Sequence, residues 1–248
     1  ERALMLEPEQ SEALASKALM TIVQERDWKA AGMLYQRSLA SKDNTMAMIG
    51  YGAFLLPAID RLAESVRLYS EAEERDPLHA GIKANLAVFM LYSGDTTGSI
   101  QKAREALELE PGHLFGFMAL IEAYTTNGQY SQAEATLEKV PSKLRQHLSI
   151  RAREGLYRAA VGDYQKAREI YLDIVNSSPA VPVAISCALA LAVGEAEGAI
   201  DIMEVMVEKK AWSIPWLRSI YRHNDMLENQ PRYLTLLERI GLNDESVS

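Results

Sequence analysis

The residue types that could do chemistry in this chain are few and widely spread. Of four histidines, three (His79, His113 and His147) recur every 34 residues. If packed helices set that spacing, neighbours in the row stand on the order of 10 Å apart. One metal ion holds its nitrogen ligands at about 2.1 Å, so the row is no metal site. What remains is a helix-start role or, because histidine titrates near neutrality, a pH-sensing row. Cys187 follows Ser186 in an Ala-rich apolar stretch, the setting of a buried structural thiol rather than of a nucleophile. The acidic run Glu71, Glu73, Glu74 and Asp76 is patterned as a solvated helix face, not as an acid–base pair. No glycine-rich phosphate loop and no Cys/His metal spacing occurs. No catalytic residue, metal site or cofactor is assigned, and the chain is expected not to be an enzyme.

The elements that would position any site are repeated. Gly94, Gly128 and Gly162 are 34 residues apart, as are Pro77 and Pro111, and Pro179 lies two such steps further on. Each glycine is followed five places later by a small residue, Ser99, Ala133 or Ala167, and then by Ala106, Val140 or Ile174 in equivalent places. Stepping back 34 from Gly94 gives Asp60, with Ser65, Tyr69 and Ala72 in register; another step gives Arg26, with Ala31, Tyr35 and Ser38. Forward of Gly162 the period shortens, to Gly194, Ala199, Met203 and Met206. Apolar residues at i, i+3, i+4 and i+7 mark a helix face, not a strand. Glycine between two helices supplies a left-handed turn, and proline ends the second helix. One such pair cannot bury its apolar face alone, whereas stacked pairs can.

The 34-residue helix-turn-helix period resembles the tetratricopeptide repeat (TPR) family. The best unit is Phe117, Leu120, Ile121, Tyr124, Gly128, Tyr130, Ala133 and Leu137, and the preceding one ends in the typical Ala103, Ala106, Leu107, Leu109, Glu110 and Pro111. The resemblance implies an all-α fold, a right-handed superhelical solenoid of about six helix pairs with C-terminal capping helices. The six repeats are placed at 12–43, 46–77, 80–111, 114–141, 148–179 and 182–211. Residues 1–8 read like the end of a second helix (compare 104–111), so residues 1–11 are expected to close a repeat that begins upstream in a longer protein. In 212–248, Pro215-Trp216 and Pro231 open two short helices expected to cover the last repeat, Trp212 and Trp216 to seal its core, and the polar residues after Gly241 form a tail.

In this family the first helix of each pair lines the concave side. Met20, Phe54, Asn85, Val88, Tyr92, Phe115, Met118 and Glu122 are therefore the candidate peptide-binding residues, an adaptable lining for an extended peptide or an amphipathic helix. Some family members grip a peptide carboxylate with paired lysine, arginine and asparagine. Asn85 matches one such place, but Gly50, Phe54, Phe115 and Ala119 occupy the others, which argues against that ligand class. The C-terminal residues Pro215-Trp216-Leu217-Arg218, Pro231-Arg232-Tyr233 and Arg239-Ile240-Gly241-Leu242 resemble the ends of bacterial TPR regions fused to winged-helix regulators or nucleotide cyclases.

The expected function is thus a protein-interaction scaffold or regulatory module within a larger bacterial signalling or transcription-regulatory protein. Ligand sensing and self-association into a homo-oligomer are the alternatives. An RNA-binding helical repeat is disfavoured by the net charge of −8 and the apolar groove. No run reaches the roughly 20 apolar residues of a membrane span, the single cysteine excludes an internal disulfide, and a cytoplasmic setting is expected.

Overall fold

A computed structural model describes residues 10–41, 44–177, 184–221 and 224–243, and all regular structure among them is helical. The readings made for residues 1–9 and Pro179, and for the tail beyond 243, lie outside the described residues.

The helices come in pairs. The first is α1 (Ser11–Met20), prolonged by a π-helical turn Thr21–Glu25, with α2 (Trp28–Leu39). Then come α3 (Thr45–Gly50), prolonged likewise by Tyr51–Leu55, with α4 (Leu62–Arg75); α5 (Ala80–Tyr92) with α6 (Thr96–Leu109); and α7 (Leu114–Thr126) with α8 (Tyr130–Lys139). A one-turn helix α9 (Ser142–Arg145) precedes α10 (Leu148–Ala160) with α11 (Tyr164–Asn176), and α12 (Ala184–Ala192) pairs with α13 (Ala196–Glu208). Two short helices follow, α14 (Trp216–Tyr221) and α15 (Pro231–Arg239). The extra turn α9 had no signal in the 34-residue register; Pro141 starts it and Arg145 ties it back by donating to the carbonyls of Glu138 and Val140.

The turn inside each pair is built alike, whatever residue occupies it. Arg26 (φ 56°) and Asp60 (φ 60°) adopt the left-handed conformation of Gly94 (94°), Gly128 (68°), Gly162 (84°) and Gly194 (84°). An L side chain there costs roughly 1–2 kcal/mol, so the first two repeats keep the geometry at an energetic cost. Asp27, Asp95 and Asp163 follow in three of the turns, and each side chain accepts a hydrogen bond from the backbone N–H three residues on, capping the second helix. The small residues five places after the turn (Ala31, Ser65, Ser99, Ala133, Ala167 and Ala199) are all fully buried, which allows the helices of each pair to approach closely. Two turns later Ser38, Ala72 and Ala106 give way to Val140, Ile174 and Met206, all buried, so the side chain at this row grows along the chain.

The described residues divide into two compact units. Residues 76–209 form one, in which first helix packs on first helix through α5, α7, α10 and α12. Its core joins Ala87, Ala103, Leu120, Tyr124, Ala133 and Tyr157, beside a second cluster of Phe117, Met118, Ile121, Val140 and Ile150. The other unit is discontinuous: the described residues up to 75 and from 210 on build it together, so 76–209 is inserted between its two pieces of chain. Its core includes Tyr35, Leu56 and Tyr69 with Tyr233. The C-terminal segment engages the first repeat in this unit: the buried Trp28 indole N–H donates to the Ile240 carbonyl at 2.8 Å. Trp212 is 48% exposed and Trp216 half-buried.

Candidate functional site

The first-helix residues singled out by sequence fall in both units. Met20, half exposed at the end of α1, borders a cleft along that helix with Lys17 and Gln24, and Phe54 is half-buried in the π-helical turn after α3. In the inserted unit, α5 carries Asn85, Val88 and Tyr92, and α7 carries Phe115, Met118 and Glu122. Asn85 donates to the Gly81 carbonyl of its own helix at 2.8 Å. Val88 packs against the first core cluster, Phe115 against the second, and Met118 lies within the second at 8% exposure. Met118 therefore offers a ligand little surface, while Val88 and Phe115 are half-buried.

Tyr92 and Glu122 are brought together, with a partner that sequence reading missed. The Tyr92 hydroxyl donates to Glu122 Oε1 at 2.6 Å, and Arg153 Nη2 pairs with Glu122 Oε2 at 2.6 Å. Arg153 Nη1 also donates to the Ser149 carbonyl, while its buried Nε has no hydrogen-bond partner. The three side chains come from three successive first helices, α5, α7 and α10. Burial, then the adjacent Glu122 charge, pushes the Tyr92 phenol well above its ordinary range, so it stays a donor. A signal for Arg153 existed: Asn85, Ala119 and Arg153 occupy one row at 34-residue steps, and the reading stopped at Ala119.

Glu122 and Arg153 form one wall of a cleft of about 390 Å³ whose other lining includes Thr126, Leu156, Ala159, Ala160, Tyr164 and Ala192; Tyr92 stands behind them. Its origin lies in the repeat register. The row that holds Tyr92 in the third repeat holds Thr126 and Ala160 in the next two, and Ala192 ends the sixth repeat's first helix. A large side chain gives way to small ones, and the space they leave is the cleft. A second groove, about 610 Å³, runs between the second helices α6 and α8 over Phe117, Leu120 and Tyr124, with Arg104 donating to the Tyr124 hydroxyl at its edge.

The 34-residue histidine row is a row of helix caps. His79, His113 and His147 precede α5, α7 and α10, and each Nδ1 accepts a backbone N–H, from Ile82, Gly116 and Ser149 respectively, at 3.2–3.3 Å. An accepting Nδ1 must be unprotonated. Burial lowers the pKa of His113, against Glu110 and helped by His79; burial and then Arg153 lower that of His147. Among the described residues no group of three or more His, Cys, Asp or Glu could hold a metal ion, and no helix is long and apolar enough to cross a membrane. Cys187 is buried and its thiol pKa is pushed up by that burial.

Residues 90–153 match the family model of the tetratricopeptide repeat. No curated protein matches in sequence. Among solved structures the fold is similar to PilW, described as a widely conserved type IV pilus biogenesis factor (TM-score 0.60, 16% identity, 88% of this chain and 97% of that one). It is similar also to a thermophilic TPR protein of Thermus thermophilus (0.54, 17%, 71% and 98%). A tetratricopeptide repeat protein of Parabacteroides merdae matches over 96% of this chain and 95% of its own (0.54, 16%). At these identities the likeness is one of fold, a helical-repeat solenoid.

Proposed function

We propose that this chain of tetratricopeptide repeats is a protein-interaction module that takes a segment of a partner protein into the cleft between α7, α10 and α12. Repeats of this kind are in general scaffolds for protein–protein contact rather than enzymes. The observation that carries the reading is the shrinking row Tyr92, Thr126, Ala160: it opens a cleft large enough for a bulky side chain against a fixed polar wall. Leu156 and the alanines supply apolar contact, and Glu122 and Arg153, held in place by one another and by Tyr92, supply polar groups already oriented before a ligand arrives. Val88, Phe115 and Met118 support the two helices from the core, and Asn85 lies in the Arg153 row. Met20 and Phe54 are assigned to a separate contact on the other unit.

We read the chain further as the partner-binding part of a larger bacterial signalling or transcription-regulatory protein, on the C-terminal sequence alone. The test of the cleft is retention of protein from native lysate by the wild-type chain beside Ala160→Trp, a substitution that fills the cleft from an exposed position. A partner held by the wild type and lost by a folded Ala160→Trp supports the site. A partner held equally by both rejects it.

A further inference from the structure

The buried hydrogen bond from Trp28 to Ile240 spans 212 positions of the sequence. In a stack of repeats each unit touches its neighbours only, so a contact between the first repeat and the last helix needs its own explanation. Trp28 opens α2 and is 6% exposed; Ile240 closes α15 and is 1% exposed. Gly241, at φ 67°, lies beside the indole, where an added Cβ would stand 3.4 Å from Cδ1 and Nε1. A few residues before α2, the Gln24 carbonyl accepts from Lys210 Nζ at 3.3 Å, so the C-terminal piece touches the first repeat at its beginning as well as at its end.

The helices that make this contact are too short to stand alone. α14 has six residues and α15 nine, below the length of about 12–15 at which isolated helices become even marginal in water. The apolar face of α15 and its exit, Tyr233, Leu236, Leu237, Ile240 and Leu242, is buried throughout, and Tyr233 donates to the Leu217 carbonyl near the start of α14. Their helical state therefore depends on being docked.

We propose that residues 231–242 form a latch on the first repeat: the segment docks and undocks as one event together with α2. When it opens, the Lys210–Gln24 contact and the buried residues Ala211, Ile214 and Leu217 still hold the chain that precedes it. The indole N–H supplies a directional contact and Gly241 a close one, and each can be altered from its own side.

Hydrogen exchange of the full-length chain by mass spectrometry tests this, comparing wild type with Trp28→Phe and with Gly241→Val. Trp28→Phe keeps a ring but leaves the buried Ile240 carbonyl without its donor; Gly241→Val leaves the first repeat's sequence intact. The latch predicts that either substitution speeds exchange about tenfold or more across both α2 and 231–242, the scale of a lost buried hydrogen bond, while 114–160 is unchanged. Faster exchange confined to the element that carries the substitution would overturn the proposal. So would a uniform increase that includes 114–160, since that would mean the whole chain had loosened.

Discussion

Removing the guanidinium from the cleft wall, by Arg153→Met, is a perturbation whose size the geometry sets. Arg153 is 5% exposed and Glu122 14%, so the pair is buried, and taking one partner from a buried pair costs about 3–5 kcal/mol because the other charge is left uncompensated. Two features reduce that. Glu122 keeps the Tyr92 hydrogen bond, and the variant also loses the Arg153 Nε–H, which has no acceptor and whose burial itself costs about 1–3 kcal/mol. The expected net loss is about 2 kcal/mol. Glu122→Met should cost more, about 3–5 kcal/mol, since it leaves a guanidinium with the Ser149 carbonyl alone. The double variant Glu122→Met/Arg153→Met should lie within about 1 kcal/mol of wild type. Native-state exchange at the α7 and α10 amides reads these free energies locally. The cycle then gives a coupling of several kcal/mol; single losses that simply add in the double variant would refute the claim that the two side chains act as a buried pair.

Three further outcomes follow from other features. His113 and His147 have lowered pKa values in the folded chain, so their neutral, capping form is favoured by folding; that stability is full above about pH 6.5 and is lost as pH falls from there through the folded values. Urea midpoints should fall between pH 7 and pH 5.5 in the wild type and less in His113→Asn/His147→Asn; identical slopes would show that the caps do not titrate in this range. At the left-handed turns, Gly128→Ala should cost about 1–2 kcal/mol, while Asp60→Gly should be neutral to stabilising by up to about 1 kcal/mol, because relief of the strain is offset by added freedom in the unfolded chain; thermal unfolding of both checks the pair of signs. Cys187, buried with a raised pKa, should resist a thiol reagent at neutral pH until α12 unfolds, and labelling in native buffer at the rate of a free thiol would contradict that burial.

The repeat itself was legible because its constraints are local. A left-handed turn, a small residue five places on and an apolar stripe each leave a sequence mark every 34 residues, and the turns at Arg26 and Asp60 could be placed by register although neither residue announces a left-handed φ. Features that arise between repeats were harder to read. The Tyr92–Glu122–Arg153 group joins three helices whose partners are 30 and 31 residues apart, off the period, so only Arg153's own row could have exposed it. The histidine row was visible, yet its role as a set of caps depends on Nδ1 geometry that spacing does not specify. The Trp28–Ile240 contact was the least legible: nothing in a period of 34 says that the last helix will seek the first repeat.

The claim that matters most is that a partner sits on the first-helix face, in the cleft beside Thr126, Ala160 and Ala192. A photo-crosslinking amino acid placed at the exposed Thr126, with a matched chain carrying it at the exposed Val175 on the second helix α11, tests that directly in native lysate. The expected result is a protein crosslinked at residue 126 and absent at 175. Crosslinking of the same protein at 175 and not at 126 would place the binding face on the second helices and contradict the assignment.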